Sequence, residues 1–229
     1  MGTSETVWFI TGASSGFDRA FASYAIKRGY SVAATARDVR NLDSLVQQAP
    51  SRVLALKLDV TRQDEVARAV QAAVARFGRI DVLINNAGFG LVGAVEETPM
   101  GEWRAAMETM FFGAIAMTRA ALPTLRAQGA GAVVNISSMG GQMSTAGFGA
   151  YSAAKFALEG ASEALAQELA PFGIKVLIVE PGPFRTDWAG RSLKTPKQPI
   201  EAYAETAIAR RRTTQGYSGS QSGDPVRGA

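Results

Sequence analysis

The chain has 229 residues, of which 47% are hydrophobic and 19% are charged, so it is long enough for one domain with a substantial core. It contains neither cysteine nor histidine, which excludes disulfides, thiol chemistry, histidine acid–base catalysis and histidine-ligated metal centres within this chain. The net charge of +4 is scattered, apart from Arg210, Arg211 and Arg212, a run that we interpret as a solvated helix end rather than a nucleic-acid site. No apolar run approaches the roughly 20 residues of a membrane span, so we expect a cytoplasmic protein with neither a membrane nor a nucleic-acid partner.

Short apolar runs alternate with longer helical patterns along most of the chain. The predicted strands cover residues 7–11, 31–36, 53–60, 80–88, 131–138 and 174–181. The predicted helices include 16–28, 62–78, 101–126 and 149–170. Alternating strands and helices indicate parallel βαβ units, and strands that are apolar throughout indicate a sheet covered on both faces. We therefore predict an α/β fold, a doubly wound parallel sheet of about six strands, in a single domain over residues 1–214.

The end of the chain has a different composition. Residues 215–229, QGYSGSQSGDPVRGA, are rich in glycine and serine and show no periodicity, which predicts a flexible or irregular tail. With no further strand pattern after 174–181, that strand should form an exposed edge of the sheet.

The first stretch that suggests chemistry is TGASSGFDRA (11–20), which follows the first strand and opens a helix. Gly12 and Gly16 would let the backbone approach a pyrophosphate, and the helix N-terminus presents N–H groups and the positive end of its dipole. Their G-x-x-x-G spacing differs from the standard dinucleotide pattern, and an ordinary tight turn is the alternative. In a βαβ unit we favour phosphate binding.

The end of the second strand, ATARD (34–38), lies where a dinucleotide site reads the adenosine ribose. An acidic residue there binds the 2′-hydroxyl of NAD, whereas an arginine accommodates the 2′-phosphate of NADP. Arg37 offers charge and paired donors for a phosphate, so we predict NADP, although Asp38 follows it directly and Arg37 could be a solvated surface residue.

Polar residues also follow the third, fourth and fifth predicted strands. These are Asp59 in LDV (58–60), Asn86 in NNAG (85–88) and Ser138 in NISS (135–138). Ligands in open α/β sheets bind outside the carboxyl ends of the strands, so these residues should line one cleft.

A further pair lies in AYSAAKFALEG (150–160), a stretch that is otherwise small and apolar. Tyr151 and Lys155 are four residues apart, so a helix places the phenol and the ammonium on one face. Alone, the pattern is short enough that a tyrosine at a helix edge beside a solvated lysine is the simpler interpretation.

Taken together, five elements resemble the classical short-chain dehydrogenase/reductase family in their order and spacing. They are T-G-x-x-x-G at 11–16, N-N-A-G at 85–88, Ser138, Y-x-x-x-K at 151–155 and P-G-x-x-x-T at 181–186. The resemblance covers about residues 6–227 and is greatest to NADP-preferring oxidoreductases; it implies a Rossmann-like fold and NADP(H) as cofactor. It also implies that the cofactor contacts Gly12, Ser14, Ser15, Gly16, Phe17, Arg37, Asp59, Val60, Asn86, Ala87, Gly88, Tyr151, Lys155, Pro181, Gly182, Phe184 and Thr186.

The same resemblance implies a separate role for each catalytic residue. Tyr151 would be the general acid for ketone reduction and the general base for alcohol oxidation, while the cofactor supplies the hydride. The ammonium of Lys155 would lower the pKa of Tyr151 from about 10 and would also bind the nicotinamide ribose. Ser138 would hold the substrate oxygen and stabilise its developing charge, and Thr186 would hold the nicotinamide carboxamide.

Three features depart from the family pattern. Asp18 stands where the family has its third glycine, and its charge near the pyrophosphate could cost about 1–4 kcal/mol, with Arg19 as a partial compensation. Met110 stands where the family has an asparagine associated with a water-linked proton relay, so we predict reduced turnover unless Met110 is simply a core residue and another route carries the proton. The seventh strand of the family sheet is not evident.

The leading interpretation is an NADP(H)-dependent carbonyl reductase or alcohol dehydrogenase that acts on a small apolar ketone or secondary alcohol. The residues expected to line its substrate pocket are Leu91, Met143, Phe148, Phe184 and Trp188. Each of them could instead be an ordinary core residue. One alternative, favoured by the departures, is a degenerate dinucleotide-binding protein with little catalysis. Another is an acyl-thioester ketoreductase, with Arg119 and Arg126 as the carrier-protein patch. The resemblance also implies a homodimer or homotetramer built on helices 101–126 and 149–170.

Overall fold

The computed structural model describes residues 6–190 and 192–228, so residues 1–5, Arg191 and Ala229 of the predicted domain and tail lie outside the described residues. The described strands are β1 (Val7–Ile10), β2 (Ser31–Ala36), β3 (Val53–Lys57), β4 (Val82–Asn85), β5 (Gly90–Leu91), β6 (Gly131–Ile136), β7 (Ile174–Val179) and β8 (Leu193–Lys194). Six of them form one parallel sheet in the order β3-β2-β1-β4-β6-β7, and β5 pairs with β8 separately. The prediction of a doubly wound, parallel α/β sheet is confirmed.

Helices carry the connections between the strands. They are α1 (Gly16–Lys27), α2 (Asp43–Gln48), α3 (Gln63–Phe77), α4 (Met100–Met107), α5 (Gly113–Gln128), α6 (Gly149–Leu169), α7 (Ala209–Gly216) and α8 (Pro225–Gly228). The predicted helix 101–126 is therefore α4 and α5, joined by the single wider turn Glu108–Phe112. At Gly113, which follows this turn, a Cβ would lie 2.6 Å from Cγ2 of Val60, so the close approach of the helix to the β3 loop requires glycine. None of the described helices is long and apolar enough to cross a membrane.

Both faces of the sheet are buried, as the apolar strands require. Successive residues of a strand point to opposite faces, and the central strand β1 shows this directly. Phe9 packs with Leu83 and Met117 in a core beneath α3 and α5. Its neighbour Ile10 packs in a second core on the side of α1, with Ile26.

Five strands are shorter at their carboxyl ends than the sequence pattern predicts: β1 by one residue, and four others by two or three. The observed ends are Lys57 in β3, Asn85 in β4, Ile136 in β6 and Val179 in β7. After β3 and β6, polar side chains bond to the backbone two residues further on and form turns. The Asp59 carboxylate accepts from the Thr61 N–H at 3.0 Å, and the Ser138 hydroxyl accepts from the Gly140 N–H at 3.0 Å. These turns form the carboxyl edge of the sheet, where the predicted site residues gather.

The outer strand and the tail complete the domain. β7 is the edge of the sheet among the described residues, and Leu177 on it is 54% exposed. The tail packs back on the domain, because the Arg185 N–H donates to the Gly223 carbonyl at 2.9 Å and α8 lies against α1. The irregular structure that we predicted for 215–229 is limited to 217–224, since 215–216 end α7 and 225–228 form α8. Arg210, Arg211 and Arg212 open α7 rather than ending a helix.

Candidate active site

The strand order reverses between β1 and β4, which is the point where ligands bind in open parallel sheets. A cleft of about 610 Å³ opens there, lined by the loops after β1, β4, β6 and β7 and by residues of α6 and α7. The predicted site residues that line it are Ser15, Gly16, Phe17, Asn86, Gly88, Ser138, Tyr151, Lys155, Pro181, Gly182, Phe184 and Thr186. Residues spread over 170 positions of sequence are thus brought to one surface by the carboxyl ends of the strands.

The remaining predicted residues are not part of the lining of this cleft. Gly12 and Ser14 lie in the loop behind it, and Arg37 and Asp59 follow β2 and β3 at the adjoining part of the sheet edge. Val60 and Ala87 line a small void of about 10 Å³, which Lys155 and Met110 also border.

The loop after β1 is shaped to admit an anion. Gly12 and Gly16 have left-handed φ values of 81° and 60°, a conformation that favours glycine. Ser15 precedes the first residue of α1, but its side chain makes no capping hydrogen bond to the helix. The first N–H groups of this twelve-residue helix and the Ser15 hydroxyl therefore face the cleft without a side-chain cap, which fits a phosphate group.

The end of β2 presents a cation rather than an acid. Arg37 is exposed, while Asp38 is occupied by Arg40, whose guanidinium donates to the Asp38 carboxylate at 2.7 Å. Asp38, the acid that made the choice between NAD and NADP less certain, is thus already paired with Arg40. Burial opposes ionisation of Asp59, but hydrogen bonds from Thr61 and the charge of Arg37 together lower the pKa of that carboxyl.

Several supporting residues were not predicted from the sequence. The Thr11 hydroxyl accepts from the N–H groups of Asn86 and Ala87 at 3.0 and 3.1 Å, and so ties the loops after β1 and β4 together. The Asn85 side chain donates to that of Asn135 at 2.9 Å across β4 and β6. The threonine is the first letter of T-G-x-x-x-G, and the asparagines are polar residues in otherwise apolar strands. The sequence therefore marks these residues as unusual. Their polarity alone does not show which group each side chain hydrogen-bonds.

Ser138, Tyr151 and Lys155 meet at the floor of the cleft. Tyr151 and Lys155 lie one turn apart on α6 and are buried, with 7% and 5% of their surfaces exposed. The Lys155 ammonium donates to the Ile136 carbonyl at 2.8 Å and lies 5.8 Å from the centre of the Tyr151 ring. Ser138 follows β6, and its hydroxyl lies beside the Tyr151 phenol, where it favours the ionised form and lowers the pKa. The arrangement places a proton donor, a hydroxyl and a cation around one position.

The charges of these groups differ from our prediction. Burial raises the pKa of Tyr151 to about 12, and the hydrogen bond from Ser138 offsets this only in part. Burial also lowers the pKa of Lys155 to about 8, while the charges of Asp18 and Glu159 act in the opposite direction. The prediction that Lys155 lowers the pKa of Tyr151 is therefore wrong for this geometry. The reason is that the ammonium is directed to the Ile136 carbonyl and desolvation of the phenol dominates.

Asp18 is a buried carboxyl group in the wall of the cleft. It lies in the first turn of α1 with 6% of its surface exposed, and its Oδ1 has no hydrogen-bond partner among the described residues. Burial raises the pKa of Asp18 well above its usual value, although a hydrogen bond with Asn86 and the charge of Lys155 oppose this. The side chain packs on Gly12, where a Cβ would lie 3.1 Å from Oδ2. The predicted departure at this position is thus inside the site.

Met110 lies in the wide turn between α4 and α5 and is 2% exposed. Its thioether lines the cleft and the small void beside Lys155, and a Cβ on Gly88 would lie 3.2 Å from Met110 Cγ. An apolar, weakly accepting side chain therefore lies next to Lys155.

An aromatic wall closes the other side of the cleft. Phe148 stacks on Trp188 with ring centres 6.2 Å apart, and Trp188 meets the Tyr151 ring edge to face at 5.3 Å. Met143 and Phe184 also line the cleft, as expected for the substrate pocket. Leu91 does not: it is 2% exposed and packs with Ala106 and Met110 in the core behind this wall. Leu91 belongs to the core because β5 turns it inward.

Neither basic residue proposed for a carrier-protein patch reaches the cleft. Arg119 and Arg126 are both exposed on α5, on the outside of the domain, and neither is among the residues that line the site.

The residues present fit a nicotinamide dinucleotide in most respects. Gly16 and the start of α1 form a phosphate cradle, Thr186 and the Pro181–Gly182 turn lie across from it, and the catalytic group forms the floor. A Cβ on Gly16 would lie 3.5 Å from the Thr186 Cβ, so glycine at this position keeps the space between the two sides open. Asp18 is the feature that opposes an anionic ligand.

Comparison with known proteins agrees with this geometry. Residues 6–197 match the protein family described as short chain dehydrogenase. The oxidoreductase BOA17 of Botryotinia fuckeliana is 43% identical over 94% of this chain and 78% of its own length. The 3-ketodihydrosphingosine reductase of Bacteroides thetaiotaomicron is 42% identical over 87% of this chain and 72% of its own length.

Solved structures show the same fold. A short-chain dehydrogenase from Streptomyces avermitilis is 51% identical and superposes with a TM-score of 0.91, covering 98% of this chain and 81% of that one. A metagenomic short-chain oxidoreductase in complex with NADP is 32% identical, with a TM-score of 0.74 over 79% of this chain and 84% of its own. A short-chain dehydrogenase/reductase from Burkholderia phymatum in complex with NAD is 27% identical, with a TM-score of 0.86 over 99% of this chain and 83% of its own. Similar structures therefore hold either nucleotide.

Proposed function

This chain belongs to the short-chain dehydrogenase family of oxidoreductases, and on that premise we propose that it transfers a hydride between NADP(H) and an apolar ketone or secondary alcohol. The observation that carries the proposal is the convergence of Ser138, Tyr151 and Lys155 on the floor of one cleft, beside the uncapped start of α1.

Each of the three side chains has a role that follows from its surroundings. The bound cofactor supplies the hydride to the carbonyl carbon. Tyr151 donates its phenolic proton to the carbonyl oxygen, and with a pKa of about 12 it is fully protonated at neutral pH. Ser138 donates a hydrogen bond to the same oxygen. The Lys155 ammonium, which donates to the Ile136 carbonyl, would bind the nicotinamide ribose and so orient the cofactor.

With its pKa raised to about 12, the Tyr151 phenol carries its proton near neutral pH, which is the form that ketone reduction requires; alcohol oxidation requires the phenolate.

The choice of NADP rests on the end of β2. Arg37 is exposed there and Asp38 is held by Arg40, so the position offers a phosphate a cation and offers a ribose 2′-hydroxyl no unpaired acid.

The test is a fluorescence titration of the protein with NADPH and with NADH, followed by turnover of a panel of apolar ketones. We expect NADPH to bind more tightly than NADH. The matched variant is Tyr151→Phe, which lacks the proton donor but keeps the ring contact with Trp188. It should bind NADPH as the wild type does and reduce ketones about 10²- to 10⁴-fold more slowly. Failure of both nucleotides to bind at millimolar concentration would overturn the proposal.

Asp18 favours one other function, that of a dinucleotide-binding protein with little catalysis. A buried carboxyl group in the pyrophosphate region lowers affinity for an anion and lies close enough to affect the charge of Lys155. NADPH binding without turnover of any ketone in the panel would favour this second candidate.

The homo-oligomer stays a prediction. Ala153 and Gly160 are exposed on α6, which is compatible with close approach of a second copy at this helix.

A further inference from the structure

The cleft contains a cation that the proposed reaction does not use. Arg210 lines the cleft from the first turn of α7, together with Thr214 and Tyr217. These three residues are spaced by four and three positions, so they share one face of the helix. α7 therefore presents a polar stripe to a cavity that also has an aromatic wall.

Packing of the helix joins the segment before Arg210 to the loop before α6, which leads to Tyr151. A Cβ on Gly147 would lie 3.5 Å from the Ala207 Cα, so the turn before Arg210 touches the loop before α6. Gly147 is followed by Phe148, whose ring meets the Tyr151 ring at 6.2 Å. Arg210 lies one turn beyond Ala207, which is a rise of about 4.5 Å along the helix.

The ion pairs of the described side chains do not include this guanidinium. Among those side chains, no carboxylate lies within ion-pair distance of Arg210. The acid that lines the same cleft, Asp18, is on α1 and is near Lys155. Arg210 is also partly hydrated, since it is an exposed residue. Its position suits a carboxylate, which a guanidinium can bind through two parallel hydrogen bonds.

We propose that the substrate is a keto acid with an apolar body, whose ketone reaches Tyr151 against the aromatic wall and whose carboxylate is bound by Arg210. This inference rests on the proposed function and assigns Arg210 the role of a specificity-determining residue. It replaces the interpretation of the arginine run as purely solvated, because one of the three arginines faces the cleft.

The experiment compares matched acids and esters. The substrates are 4-oxo-4-phenylbutanoate, 5-oxo-5-phenylpentanoate and 6-oxo-6-phenylhexanoate, each with its methyl ester, and the quantity is the ratio of kcat/KM for acid over ester with NADPH. We expect the wild type to prefer one of the acids by roughly 5- to 50-fold, the range of a charge-assisted hydrogen bond at a half-open site. The preference should weaken at high salt.

Variants separate Arg210 from the general charge of the helix. Arg210→Gln should bring the ratio to about one, and Arg210→Glu should favour the esters. The control is Arg212→Gln, which removes an exposed cation from the same helix that does not line the cleft, and it should keep the wild-type ratio.

Calorimetric binding of the acids and esters to the protein with NADP⁺ gives the same comparison where turnover is slow. A wild type that shows no preference for any acid in either measurement would overturn the inference, as would a preference that survives Arg210→Gln. Ester turnover without acid preference refutes the role of Arg210 alone. Absence of both nucleotide binding and turnover refutes the proposed function.

Discussion

Replacing Asp18 by asparagine or glycine should tighten binding of the dinucleotide at pH 8. The carboxyl group is 6% exposed in the first turn of α1, where the pyrophosphate is expected. A carboxylate about 6 Å from a phosphate charge, at an effective dielectric constant of about 20, is repelled by about 3 kcal/mol. Protonation of Asp18 removes part of this repulsion in the wild type. We therefore expect a gain of about 10- to 100-fold in Kd.

The pH dependence identifies the cause. Burial raises the pKa of Asp18 well above its usual value, so below that raised pKa the side chain is neutral and does not repel an anion. The affinity of the wild type should fall as the pH rises through this pKa, and the affinity of Asp18→Asn should lack this component. Because the 2′-phosphate of NADPH itself titrates near pH 6, the ratio of wild-type to variant Kd at each pH is the quantity to follow.

The assay is a nucleotide fluorescence titration from pH 5.5 to pH 9 with NADPH and NADH. Asp18→Asn removes the charge and keeps the volume, whereas Asp18→Gly removes both, so the pair separates repulsion from crowding. Variants that bind no more tightly than the wild type at pH 8 would refute the reasoning. A gain that is the same at every pH would refute the electrostatic part and leave crowding as the cause.

Stability gives an independent check without nucleotide. A carboxyl group whose folded pKa is raised contributes its full share of stability below the unfolded pKa near 3.9, and this share is lost as the pH rises through the folded pKa. Asp18→Asn should therefore melt above the wild type at pH 8 and lose this advantage by pH 4. Equal melting temperatures at pH 8 would contradict a desolvated carboxyl at this position.

Two further changes test the two ends of the site. Arg37→Glu should weaken NADPH binding by roughly 10- to 100-fold and leave the Kd of NADH within about threefold, since only NADPH carries the 2′-phosphate. Arg68→Glu, on the exposed face of α3, is the control for net charge. Equal losses for both nucleotides would contradict the assignment of Arg37 to the 2′-phosphate. Glu159→Gln removes a buried carboxylate one turn beyond Lys155, whose charge helps to keep that lysine protonated. This variant should lower the pKa of Lys155 below about 8 and move the corresponding limb of the pH profile of kcat/KM to lower pH. The control is Glu163→Gln, an exposed residue on the next turn, which should leave the profile in place. An unchanged profile in Glu159→Gln would show that Glu159 does not act on the lysine.

The backbone of the site could be predicted because its signals are local and repeated. Apolar strands that alternate with helices fix a parallel sheet, and a parallel sheet brings the residues after each strand to one edge. Asn86, Ser138 and Tyr151 could therefore be placed together before any coordinates were known. Five of the strand ends were placed one to three residues too late, because apolar residues continue after the ladder stops and the polar turns that end it depend on partners such as Thr61.

Burial and charge could not be predicted in the same way. The Y-x-x-x-K spacing places an ammonium near a phenol, but the direction of the Lys155 side chain is set by the Ile136 carbonyl, 19 positions away in sequence. The depth of the cleft then makes desolvation larger than the attraction between the two groups, which reverses the expected direction of the Tyr151 pKa. The prediction that Leu91 lines the substrate pocket was wrong for a related reason. An apolar residue that lines a cleft and one that packs behind its wall have the same sequence pattern.

Two of the three departures from the family pattern, Asp18 and Met110, lie beside the same residue, Lys155. Asp18 lies 92 positions from Met110 in sequence, yet both line the cleft with Lys155, and Met110 also shares a small void with that lysine. Asp18 adds an acid that favours the charged lysine, while the Met110 thioether offers it almost no hydrogen bonding. Both residues therefore border the same ammonium. Groups that share a partner in this way do not contribute additively, so the catalytic consequence of either departure depends on the other.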